Sequence, residues 1–371
     1  MRAILSEAHT LHAPSEIVVR GIIAPNLEVP GRVEHLLKAL KAGKHEIVAP
    51  RDFGMEPILA VHDGDYVEFL RTAYERWHQA FPAGKAGAYA CAHASANRHR
   101  AALPSSIQGQ VGYYLSGGSA PVDAGTFEAS VASAHCALEA VTLLGEGHGE
   151  AYALCRPPGH HAYADMAGGF CYLNNAAIAA QALLARHERV AILDFDVHHG
   201  NGTQDIFYER GDVHFVSIHG DPNDLFPFYA GYADERGVGA GEGCNLNLPV
   251  DANSGDEADL AAVAAGIDAP RAFSPDLVVL ALGLDASEAD PFACMRVTAD
   301  GFDHIVLHHV LAGTLIGQGR SGFERAGPGD IVFLDTRRGH RTEAHDLHLI
   351  TVSIARDLML AALGSLGALH G

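Results

Sequence analysis

The chain has 371 residues, 48% of them hydrophobic, and a formal net charge of −20. Such a length buries a sizeable core in one large α/β domain or two smaller ones. A field this negative, with no Lys/Arg run to offset it, excludes a nucleic-acid backbone as a partner and leaves a cationic substrate or plain solubility as its meaning.

Met1-Arg-Ala-Ile-Leu-Ser-Glu7 leads into a strand-like run with no long apolar signal core, and no window approaches the roughly 18 uninterrupted apolar residues of a membrane span. The six cysteines, Cys91, Cys136, Cys155, Cys171, Cys244 and Cys294, form no C-x-x-C pair. In a chain too long to need disulfide staples they read as reduced thiols, so a cytoplasmic protein is expected. Pro82 to Pro104, rich in Gly, Ala, His and Arg, reads as a long surface loop.

Farther along, apolar runs alternate with helical patterns. Helices are predicted over Phe127 to Leu144, Asn174 to His187 and Asp256 to Ile267, where apolar residues recur at three and four. Strands are predicted over Ala151 to Leu154, Val190 to Asp196, Val213 to His219 and Leu277 to Asp285, apolar on both faces as in a parallel sheet covered by helices. The fold class that follows is α/β, an open, mostly parallel sheet with helices on both faces. Ligands of such sheets bind beyond the carboxyl ends of the strands.

Those ends carry the chemistry. The run Ile192-Leu-Asp-Phe-Asp-Val-His-His-Gly-Asn-Gly-Thr203 delivers Asp194, Asp196 and His198, which share one face if the strand persists. Carboxylate and imidazole are ligands that zinc and iron accept, although carboxylates capping the next helix are the alternative. In Leu154-Cys-Arg-Pro-Pro-Gly-His-His-Ala162 two prolines stiffen the approach to His160 and His161, either of which suits acid-base work near neutral pH. Leu277 to Asp285 ends in one more carboxylate, which completes a three-ligand set with Asp196 and His198 or caps a helix. After about Gly313 the character changes: short strands over Ile331 to Leu334 and Leu347 to Ile354 look antiparallel.

The two histidine-bearing motifs, with Arg32, Val61-His-Asp-Gly-Asp-Tyr66 and Ile107-Gln-Gly-Gln-Val-Gly-Tyr-Tyr114, resemble those of the histone deacetylase family, in its acetylpolyamine amidohydrolase branch. The resemblance runs from about Arg2 to Phe302 and implies the arginase-deacetylase fold, with a catalytic domain over 1–312. It implies zinc, or ferrous iron in its place, on Asp196, His198 and Asp285, and a potassium ion held by backbone near Asp194. It makes His161 the acid-base residue, His160 its companion, Asp194 and Asn201 their partners, and Phe170 and Phe226 the walls of a narrow acyl channel. The reaction implied is hydrolysis of an acetylated amine or acetyl-lysine, with a histidine taking the proton of a metal-activated water. A homodimer closed by the Pro82 to Pro104 loop is implied too.

The family's Glu-Gly-Gly-Tyr loop is missing, because no tyrosine follows Tyr232. His340 is one candidate counterpart, by analogy with a branch that has histidine there. The segment 313–371, through Ala326-Gly-Pro-Gly-Asp-Ile-Val-Phe-Leu-Asp335, instead resembles the sensor barrel of AraC-type regulators. Loss of an oxyanion donor costs about 100 to 1000-fold in rate, so weakened turnover is expected, with a catalytically impaired acyl-amine sensor as the alternative. The acidic mouth positions of the polyamine branch fall on Gln108 and Ser119, which leaves other acetyl-amines open. A di-manganese hydrolase of guanidines would need a second carboxylate-rich site that the motifs do not supply.

Overall fold

In the computed structural model of the protein, the described residues are 1–19, 22–82, 102–290 and 294–298, together with four strands of the tail over 305–319, 322–326, 331–335 and 342–353. The strands are β1 (Arg2–Ile4), β2 (Glu16–Val19), β3 (Ile22–Pro25), β4 (Glu46–Val48), β5 (Ala151–Ala153), β6 (Val190–Asp194), β7 (Val213–Gly220), β8 (Asn245–Val250), β9 (Leu277–Ala281), β10 (Ile305–Gly319), β11 (Gly322–Ala326), β12 (Ile331–Asp335) and β13 (Thr342–Ser353). The α-helices are α1 (Gly31–Ala42), α2 (Glu56–Leu59), α3 (Gly64–Ala80), α4 (Ile107–Tyr114), α5 (Thr126–Gly145), α6 (Asn175–Leu183), α7 (Asn201–Phe207) and α8 (Asp256–Phe273).

The parallel strands fall into two hydrogen-bonded groups, β4-β1-β5 and β8-β7-β6-β9. Every residue of β6 and β7 is buried, as both-face apolar runs require when helices cover each side. Alternation along β7 sorts the two faces. Phe215 packs with Ile192 and with Ala177, Ala180 and Leu183 of α6, whereas Ile218 packs with Leu260, Val263 and Ile267 of α8. Asp194 is level with Ser217 of β7 and Ala281 of β9, so the loops leaving β6 and β9 start side by side. Helix α5 is long and apolar enough to cross a membrane by length and composition. The fold uses it as a core helix, with Ala129, Ala134, Cys136 and Leu138 buried.

The boundaries of β6, β9 and α8 differ from the sequence expectation, each for a physical cause. Strand β6 stops at Asp194 because its Oδ1 accepts the Asp196 N–H at 3.1 Å, and Asp196 Oδ1 in turn accepts the His198 N–H at 2.9 Å. These local turns replace the strand alternation that predicted a shared face. Strand β9 likewise ends at Ala281, whose carbonyl accepts the Phe195 N–H at 2.9 Å. Helix α8 continues past Ile267 to Phe273 through a buried Pro270, since packing outweighs the missing N–H.

In the tail, β10 pairs antiparallel with β11, β12 and β13, in keeping with the β character expected there, and β12 passes beside α8. Most of the Pro82 to Pro104 loop, and His340, lie outside the described residues.

Candidate active site

The turn after β6 and the loop after β9 bring Asp196, His198 and Asp285 together, with one ligand atom of each within 4.8 Å of the others. His198 Nδ1 lies 3.1 Å from Asp196 Oδ1 and 2.9 Å from Asp285 Oδ2. Burial opposes a charge on His198, but the two carboxylates outweigh it and hold its pKa well above the usual imidazole value. A cluster that concentrates negative charge in this way favours a cation. Two carboxylate oxygens and one imidazole nitrogen match the three-ligand donor set of a catalytic zinc, with room left for water. Asp285 is also tied in by its other oxygen, which accepts the Val197 N–H at 2.9 Å. Gly283 leaves the space that Asp196 occupies, for a Cβ there would overlap the carboxylate.

His160 stands between the cluster and the core. Its Nδ1 is 2.9 Å from Asp194 Oδ2, and its Nε2 is 3.8 Å from Asp196 Oδ1. Burial pushes its pKa down, but Asp194 and then Asp196 overcome this and raise it to about 9. Asp194 is fully buried, with one oxygen on His160 and the other on the Asp196 N–H, so it braces this pair. His161 is the opposite case. Burial, followed by the neighbouring charges of His160 and His198, holds its pKa well below the usual value. Its Nδ1 lies 2.6 Å from Asn201 Oδ1, and its ring centroid is 3.9 Å from that of His160. Two adjacent imidazoles thus differ sharply in basicity, one backed by a carboxylate and one by a neutral amide.

Of the two expected channel walls, Phe226 packs directly on His161. The Phe226 ring stands edge-on to it, with centroids 4.9 Å apart and planes at 86°. Phe170, at φ +66°, follows Gly169, whose missing side chain lets the backbone lie against the imidazole. Gln108 is exposed and Ser119 half-buried.

The loop bearing the histidines is anchored from behind. Arg156 Nε forms an ion pair with Glu28 Oε1 at 2.9 Å, with both side chains about 5% exposed or less. The same guanidinium donates to the His9 and His12 carbonyls. Two residues escape a reading by motif. Tyr163 and Tyr229 place their hydroxyls 2.9 and 3.3 Å from Asn201 Nδ2. The available signal was position alone: each lies two or three residues beyond a predicted site residue, His161 or Phe226.

A model of the histone deacetylase domain matches residues 26–314. The acetylpolyamine amidohydrolase of Mycoplana ramosa is 42% identical over 314 residues, covering 84% of this chain and 91% of that protein. Acetylpolyamine amidohydrolase 1 of Pseudomonas aeruginosa is 44% identical over 306 residues, 81% of this chain and 88% of that one. The crystal structure of an acetylpolyamine aminohydrolase from Burkholderia pseudomallei superposes with a TM-score of 0.78 at 46% identity, covering 82% of this chain and 87% of its own. Parallel strands whose ends carry paired histidines beside an aspartate-histidine-aspartate cluster, matched along most of their length, place the chain in the histone deacetylase family, among enzymes that hydrolyse amides.

Proposed function

We propose that this chain is a zinc-dependent deacetylase of small acetylated amines, with Asp196, His198 and Asp285 as its metal ligands. The observation that carries the reading is the placement of His160 and His161 beside that cluster, one backed by the Asp194 carboxylate and the other by the Asn201 amide. Bound zinc supplies Lewis acidity to the amide carbonyl and to a water. The chain's own residues do the rest. His161, held neutral, has a free Nε2 able to take a proton from water and pass it to the leaving amine. His160, braced by Asp194, donates a hydrogen bond toward the oxygen on which negative charge develops. Phe170 and Phe226 narrow the approach so that a thin acyl-amine chain enters and bulk water does not.

The mouth and the tail refine this reading. The relatives' names point to acetylated polyamines as substrates, while exposed Gln108 and half-buried Ser119 give no acid at the two mouth positions. The tail from 313 onward is proposed as a replacement segment, and no tyrosine beyond Tyr232 stabilises an oxyanion. Turnover reduced by about 100 to 1000-fold relative to a tyrosine-bearing enzyme follows. A homodimer in the cytoplasm, ferrous iron as an alternative metal and a backbone-bound potassium ion complete the reading.

The test is acetate release from acetylated polyamines and acetyl-lysine peptides by the zinc-loaded chain and by His161→Ala. Slow release that disappears in the variant is expected. A folded, one-zinc protein that releases nothing would favour the second reading, an acyl-amine sensor that keeps the pocket, which the missing tyrosine supports.

A further inference from the structure

Behind His161 a chain of polar groups runs from the site to the surface. Asn201 is buried at the start of α7. Its Oδ1 faces His161 Nδ1 at 2.6 Å, and its Nδ2 faces the hydroxyls of Tyr163 at 2.9 Å and Tyr229 at 3.3 Å. The two hydroxyls are hydrogen-bonded to each other, and the Tyr229 residue as a whole is 57% exposed.

We infer that Tyr163 and Tyr229 are positioning residues that fix the Asn201 amide and, through it, the tautomer of His161. The inference rests on the proposed role of His161 as the base. Hydrogen-bond bookkeeping leads to it. If Tyr229 donates to solvent, its oxygen is free to accept from Tyr163; Tyr163, having spent its proton, must accept from Asn201 Nδ2. The amide is then oriented with Oδ1 toward His161, which accepts only if the imidazole carries its proton on Nδ1. Every donor in the chain points outward, and His161 Nε2 is left as a lone pair on the site side. Were the amide to flip, its NH₂ would donate to Nδ1, the ring proton would move to Nε2, and the base would be blocked.

A carboxylate in place of Asn201 has no flip and accepts whichever way it is turned. The tyrosines should therefore matter only while residue 201 is an amide. Tyr229 also sits three residues after Phe226, so one loop supplies both a channel wall and the last link of the chain.

The experiment is a mutant cycle on the metal-loaded full chain. Tyr163→Phe is expected to lower kcat about tenfold, with KM and bound metal unchanged. In an Asn201→Asp background, the same substitution should cost less than twofold. Equal losses in both backgrounds, or a rise in KM with kcat unchanged, would overturn the inference, since either means a general structural or a substrate-contact role. A second measurement does not need turnover. In ¹⁵N-histidine-labelled protein, the signal that vanishes in His161→Ala should report an Nδ1-protonated ring, and Tyr163→Phe should move it toward the other tautomer. An unchanged tautomer in Tyr163→Phe refutes the inference even if the chain proves to be no deacetylase, a failure that the parent protein alone would show by releasing no acetate.

Discussion

Gly283 has no side chain, and Asp196 occupies the space one would fill. Gly283→Ala should therefore displace a ligand without changing any ligand. We expect zinc affinity to fall about 10 to 100-fold, the range seen when a residue behind a metal ligand is altered, as read by competition with a chromogenic chelator. Wild-type affinity in this variant would mean that Asp196 does not hold the metal. The clustering of the proposed ligands, Asp196, His198 and Asp285, was legible because metal chemistry admits few residue types and the motifs put them near strand ends. Asp194 was legible as a site residue, but its strand-mate argument was wrong: its carboxylate turns the backbone and braces His160. Tyr163 and Tyr229 were not legible, since nothing in a tyrosine's sequence neighbourhood says that its hydroxyl will meet a buried amide.

Helix α8 carries Asp259, buried one turn beyond Asp256. Burial, and then the charge of Asp256, pushes the Asp259 carboxyl from its ordinary 3.8 up to about 6. The folded state thus binds this proton more tightly than the unfolded chain does. Stability from this group is greatest below about pH 4 and is lost as pH rises through about 6. Asp259→Asn is expected to raise Tm at pH 8, by a free energy of at most ~3 kcal/mol for a shift of about two units, and to leave Tm at pH 4 nearly unchanged. A gain equal at both pH values would contradict the assignment. In the loop after β5, Arg156→Ala strands the Glu28 carboxylate in the interior, an error that costs about 3–5 kcal/mol; a urea-denaturation midpoint unchanged from the parent would show that the pair is not buried in solution. The parallel strands and central helices were readable from periodicity, whereas the ends of β6 and β9 were not. Phe195, Val197, Leu282 and Leu284 keep the pattern apolar after the ladder has ended, and side-chain bonds to the backbone leave no mark in hydropathy.

Across the molecule, burial keeps a set of histidines neutral. His12 is pushed down to about 3, and His62, His214 and His219 to about 4, burial being the largest cause in each. The unfolded chain binds these protons near 6.5, so between roughly 6.5 and 4 it holds more protons than the folded state. Stability is complete above that window and is lost as pH falls through it. Calorimetry of the metal-loaded chain should show Tm dropping steeply from pH 6.5 to 4, overriding the opposite drift from Asp259. A flat profile would mean that these imidazoles are hydrated in solution. Composition showed the many histidines, 24 in all, but burial is a property of the assembled layers, and neither that nor the division of the parallel strands into two groups could be read from local pattern.

Strand β1 lies between β4 and β5, pairing with residues 46–48 on one side and with 151–153 on the other. During synthesis, residues 2–4 emerge long before the partner that completes their second edge. For that interval a short apolar segment, Ala3 and Ile4 among the most deeply covered residues of the finished protein, has an open edge. Translation pauses or a stop before about residue 153 would leave it there, so nascent chains shorter than that should bind chaperones and be cut by proteases, and protection should arrive late and abruptly, once β5 is free of the ribosome.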